Sequence, residues 1–95
     1  MSESGAIAQN LRAKLETAFQ PVELAIIDES ERHAGHSGAR PGGESHFRVR
    51  IVSRQFAGLS RVERQRRVYA VVSEEVAAGI HALALTTLTP DEALQ

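Results

Sequence analysis

Ile7, Leu11, Leu15 and Phe19 recur at intervals of four, the stripe of an amphipathic helix over Ser4 to Phe19. Pro21 cannot continue that helix, because it has no N–H to donate. Behind it Val22, Leu24 and Ile26 alternate with Glu23 and Ala25, which predicts a half-buried strand to about Ile27. A second strand spans His46 to Ser53, with Phe47, Val49 and Ile51 on one face and His46, Arg48 and Arg50 on the other. Two successive strands, each apolar on one face, should pair as an antiparallel hairpin. The connection, Asp28 to Ser45, holds four of the seven glycines (Gly35, Gly38, Gly42 and Gly43) and reads as a loop. A loop of about 15 residues or more in a compact domain is usually functional or mobile.

Gln55 to Leu59 is a connector, and Ser60-Arg61-Val62-Glu63 then fits a capping box. The helix behind it carries Val62, Tyr69, Val72 and Val76 on one stripe and closes at Gly79, a residue suited to a left-handed cap. Ile80 to Leu88 is largely apolar at odd and even positions alike, which predicts a third strand buried on both faces and central in its sheet. Thr89-Pro90-Asp91-Glu92 can start one last, very short helix. The predicted architecture is one α/β (α+β) domain over residues 1–95. Its order is αββαβα, a three-stranded mixed sheet with helices on one face.

Composition changes this picture little. With 42% apolar and 24% charged residues the chain is an ordinary globular protein. No apolar run approaches the roughly 20 residues that cross a bilayer, and Met1 to Asn10 carries no secretory pattern. The expectation is a cytoplasmic protein with no membrane partner. Cysteine is absent, which excludes disulfides, thiolate catalysis and thiolate metal ligands from this chain. An iron–sulfur cluster bound here would take its thiolates from another molecule.

Charge is more informative. The net charge of −1 conceals seven arginines (Arg48, Arg50, Arg54, Arg61, Arg64, Arg66 and Arg67) between positions 48 and 67, opposed there only by Glu63. Two readings stand: a solvated face, or a surface for anions or an acidic partner, because the guanidinium fork matches phosphate and carboxylate.

The candidate metal ligands besides carboxylates are His33, His36, His46 and His81. Their spacing fits neither a zinc finger nor a helical zinc-protease motif. It also permits a bland reading, in which His33 and His36 are solvated, His46 is a surface residue and His81 is partly buried. No serine has an activating constellation, and no P-loop or dinucleotide fingerprint is present. These features predict a protein that is not an enzyme and has no small-molecule substrate. Gly35-His36-Ser37-Gly38 spells the G-x-x-G of KH modules, but here it joins two strands rather than two helices.

Several short segments gain force from their joint order: Asp28-Glu29-Ser30 with Arg32-His33, Glu44-Ser45-His46-Phe47-Arg48-Val49, and Val52-Ser53 with Phe56. Arg64-x-Arg66-x-Val68-Tyr69, Glu74-Glu75, His81-Ala82-Leu83 and Thr89-Pro90 follow. Together they resemble the BolA family over roughly residues 6 to 93. The resemblance implies a fold related to the class II KH topology. It also implies partnership with a monothiol glutaredoxin and a shared [2Fe–2S] cluster, in iron–sulfur trafficking and iron regulation. In such complexes the glutaredoxin cysteine and glutathione ligate one side. The BolA-like partner supplies the His of the His-Ala-Leu segment, here His81, and a loop ligand, here His33 or His36. Alone, the chain would carry no cluster. Imidazole ligation would raise the cluster's potential and make its release depend on pH.

Some members of the family are described as DNA-binding regulators of morphology and stress response. That is the alternative expectation, with Arg48, Arg50, Arg61, Arg64 and Arg67 as the nucleic-acid or partner surface. Many relatives read Arg-His-Arg where this chain has Arg64-Gln65-Arg66, so no role of that helical histidine transfers.

Overall fold

A computed structural model describes residues 5–29 and 46–95. Helix α1 runs over Ala6–Phe19 and buries Ala8, Leu11, Leu15 and Phe19, the expected stripe with Ile7 at its margin. Gln20 takes a left-handed conformation (φ +45°), and its N–H donates to the Glu16 carbonyl, which ends the helix before Pro21. Strand β1 (Glu23–Asp28) pairs antiparallel with β2 (His46–Val52), from Glu23 opposite Val52 to Asp28 opposite Phe47. A 3-10 turn at Arg54–Phe56 follows, then α2 (Arg61–Val71), α3 (Ser73–Ala77), β3 (Ala82–Leu88) and α4 (Pro90–Ala93). The capping box expected at Ser60/Glu63 is formed, and Thr89, expected as a helix cap, forms a second one with Glu92.

The helices return the chain so that β3 lies parallel to β2, from His46 opposite Ala82 to Val52 opposite Leu88. The sheet is therefore mixed, in the order β1-β2-β3. Phe47, Val49 and Ile51 of β2 face the helices, with Ile26 of β1, and join Leu11, Leu15, Phe19, Phe56, Val68, Val72 and Ile80 in the core. No helix among the described residues is long and apolar enough to cross a membrane.

Two expectations are corrected. β3 is an edge strand, and β2 is the central one. In β3, Leu83 and Leu85 are half-buried and Thr87 is buried, whereas Ala82, Ala84 and Thr86 are exposed. Apolar character at both sets of positions suggested two covered faces, but the outward set is made of small residues that lose little by facing water. Second, the long helix is broken at Val72 (φ −107°, ψ 22°), where two β-branched residues precede a serine. Its buried stripe is only partly the one expected: Val72 is buried and Val76 packs against the core. Val62 and Tyr69 are 55% and 41% exposed, while Val68, Val72 and Glu75 are buried. Arg64, Val68, Val72 and Glu75 share the inward face, and two of these four are charged. Apolar periodicity alone could not see that stripe.

Candidate functional site

The parallel register determines what meets at one end of the sheet. His46 opens β2 opposite Ala82, so His81, the residue before β3, stands beside it. The two imidazole rings are 6.0 Å apart between centroids, with their planes inclined by 26°. Gly79 (φ +139°) turns the chain out of α3, and Ile80, 8% exposed, inserts into the core. His81 is then left exposed on a strand end whose neighbours are anchored on both sides. His46 is half-buried rather than a plain surface residue.

The Glu29 N–H donates to the His46 carbonyl at 2.8 Å. The chain therefore leaves the described structure at Glu29 and re-enters at His46, at the same end as His81. The expected loop ligands His33 and His36 lie outside the described residues.

What this end can do chemically follows from its donors. Neutral imidazole is a borderline ligand for iron, zinc, nickel and copper. Among the described residues no three histidine or carboxylate side chains come together as a metal site. The described part of this end is thus an incomplete ligand set. It fits an ion or a cluster whose remaining donors come from elsewhere, and the absence of cysteine excludes a site closed by thiolates of this chain.

The arginines divide into three groups. Arg48 and Arg50 lie on the outer face of β2 and pair across the hairpin with Glu29 (3.0 Å) and Glu23 (2.7 Å). Their charge is partly matched in place. Arg64 is placed quite differently. Its side chain is only 11% exposed. Its Nε donates to the Leu59 carbonyl (3.0 Å) and its Nη1 to the Thr87 carbonyl (3.0 Å). A two-pronged pair reaches Glu92 at 2.6 and 3.1 Å. The guanidinium also stands 5.9 Å from the centroid of the Phe56 ring. Assigned from sequence to a partner surface, Arg64 instead ties α2 to the end of β3 and to α4. Arg54, Arg61, Arg66 and Arg67 are exposed, as is Arg48; Arg54 and Arg66 belong to the expected arginine run but not to the residues singled out as a nucleic-acid or partner surface. Hydrogen bonds from Ser60 hold the Glu63 carboxyl below its usual range, helped by Arg67 and Arg66.

Two charged residues on the buried stripe have partners. Lys14 of α1 reaches Glu75 at 2.9 Å and Glu74 at 2.7 Å. These bonds, that to Glu74 foremost, raise the lysine pKa. The bond from Arg64, with the Thr89 N–H, pulls the Glu92 carboxyl down to about 2. The folded value lies below the ordinary carboxyl value of 4.5, so this stabilisation is complete above that value and lost as pH falls towards 2. Acid unfolding followed by circular dichroism should show it: Glu92→Gln removes part of the loss of stability between about pH 4.5 and 2. An identical acid-dependence in wild type and variant would refute the coupling.

Comparison with known proteins identifies the family and the fold. Residues 15–92 match the family described as BolA-like protein. The chain is 47% identical over 96 residues to Protein BOLA1, chloroplastic, of Arabidopsis thaliana, covering 96% of this chain and 60% of that one. It is 43% identical over 86 residues to the DNA-binding transcriptional regulator BolA of Escherichia coli, covering 90% of this chain and 78% of that one. Among solved structures, BolA1 from Arabidopsis thaliana superposes with a TM-score of 0.81 at 41% identity, covering 93% of this chain and 96% of that one. The BolA domain of SufE1 from the same plant gives 0.82 at 43% identity, again over 93% of this chain and 96% of the other. The hairpin, the parallel third strand and the exposed histidine at its start therefore belong to a member of the BolA-like family.

Proposed function

We propose that this protein is a non-enzymatic adaptor that binds a monothiol glutaredoxin and shares a [2Fe–2S] cluster with it, in iron–sulfur trafficking or iron regulation. The observation that carries the reading is His81, an exposed imidazole on an anchored strand end beside Glu29 and His46, where the chain leaves and re-enters the described structure. The cluster is cargo, held between two proteins. The partner would bring cysteine and glutathione, and His33 or His36 would supply the second ligand from this chain. The chain's own share is to present neutral imidazole from a rigid scaffold. Co-expression with the monothiol glutaredoxin of its own organism tests this. A coloured heterodimer is expected, against a colourless isolated protein, and a colourless mixture would overturn the reading.

A second reading, a DNA-binding regulator, is favoured by the exposed Arg54, Arg61, Arg66 and Arg67 and by the likeness to the DNA-binding transcriptional regulator of Escherichia coli. It calls for a steep salt dependence, with a log–log slope of about −0.9 for each phosphate neutralised. Arg61→Ala with Arg67→Ala should then weaken binding on all sequences alike, since phosphate contacts carry no base information. Arg64 is unsuitable for that test, because removing it strips the fold of the bonds to Leu59, Thr87 and Glu92. Duplex affinity that ignores both salt and the double substitution would exclude this reading.

A further inference from the structure

We propose that His46 and His81 form a two-imidazole site for a single borderline divalent metal ion, of the zinc, nickel and copper class, in the isolated chain. The proposal concerns a mononuclear ion and needs no second protein.

The geometry carries it. The ring centroids are 6.0 Å apart. With metal–nitrogen bonds of about 2.1 Å, two imidazoles on one ion have centroids roughly 5 to 6.5 Å apart, so the observed separation lies in that window and the stacked rings need only turn to aim one nitrogen each at the ion. Both residues are held by the scaffold. His46 is the first residue of the central strand, its carbonyl taken by the Glu29 N–H at 2.8 Å. His81 follows the buried Ile80 directly. Little conformational freedom is therefore lost when an ion draws the rings together. The exposed His81 gives the ion an entry path from solvent, and the half-buried His46 gives it a wall. A hydrogen bond on the second nitrogen of either ring is compatible with this, since metal-bound histidines usually donate from the nitrogen they do not use for the ion.

Chemistry narrows the occupant. Two neutral imidazoles and no thiolate suit zinc, nickel and copper better than magnesium or calcium, which prefer oxygen donors. No third side chain of the described residues completes the set.

The experiment is a titration of the isolated wild-type protein with Zn2+ alone at pH 7.5, followed through the histidine ring resonances by NMR. One equivalent should shift the His46 and His81 rings together, while Mg2+ shifts neither. His46→Ala and His81→Ala should each weaken Zn2+ binding by about tenfold or more, because each removes half of the chelate. A retained backbone spectrum checks that each variant is folded, and His46→Gln provides a second variant at that position. His33→Ala with His36→Ala should leave the affinity within about twofold, because the ion rests on the strand ends. Wild-type affinity in both His46 variants, loss of binding in the loop double variant, or no Zn2+ uptake below millimolar would each overturn the site. The adaptor reading is tested separately by colour with glutaredoxin, so either idea can fail while the other stands.

Discussion

Phe56→Ala is expected to lower the unfolding free energy by about 3–5 kcal/mol, the usual range for emptying a large aromatic site in a core. Phe56 has no exposed surface, and its ring lies 5.2 Å from that of Phe19, tilted by 44°. The Arg64 guanidinium stands over the same ring. The 3-10 turn that carries it is pinned by Ser53, whose Oγ donates to the Phe19 carbonyl at 2.7 Å and accepts from the Gln55 N–H at 3.1 Å. One side chain thus joins the end of α1, the end of β2 and the first turns of α2. A small domain has about 5–15 kcal/mol of stability in total, so the variant should be partly unfolded at physiological temperature. Urea denaturation measures this directly. Phe56→Leu should recover much of the loss, because it refills most of the volume. A loss below about 1 kcal/mol for the alanine would mean that the site collapses freely and is not a keystone of the core.

His81→Ala is expected to abolish, or to change in shape and lability, the visible spectrum of the complex with a monothiol glutaredoxin. Its cost to the fold should be within about 0.5 kcal/mol, the ordinary range for an exposed position. That contrast makes the variant informative. Ile80 and the parallel register position the residue, and neither depends on the imidazole. The far-ultraviolet circular dichroism and the urea midpoint should therefore match wild type while the cluster is lost. If the spectrum and its rate of decay were unchanged, His81 would not be a ligand. Equal loss in stability and spectrum would point to a structural role instead.

Local signals in the chain were enough for most of the architecture. The four-residue stripe from Ile7 to Phe19, the alternation in Phe47, Val49 and Ile51, and both capping boxes depend on neighbours in sequence. Helix and strand periodicity and end-capping are local physics, so they survive without knowledge of the fold. The antiparallel hairpin was legible for the same reason, since successive one-sided strands have few other ways to cover their apolar faces.

Long-range pairing was not legible. That β3 lies at the edge was decided by the helical return that sets it beside β2, leaving Ala82, Ala84 and Thr86 open to water. The inward face of α2 and α3 was legible only in Val72 and Val76, because two of its other members, Arg64 and Glu75, are charged. Their burial is possible only because Glu92 lies 28 residues from Arg64, and Lys14 61 residues from Glu75, and both are folded back to meet them. A buried charge is tolerated when it is paired, and distant pairing has no periodic signature. The meeting of His46 and His81 is of the same kind. Thirty-five positions separate them in the chain, and only a parallel register that places residue 46 opposite residue 82 brings the two rings to one end of the sheet.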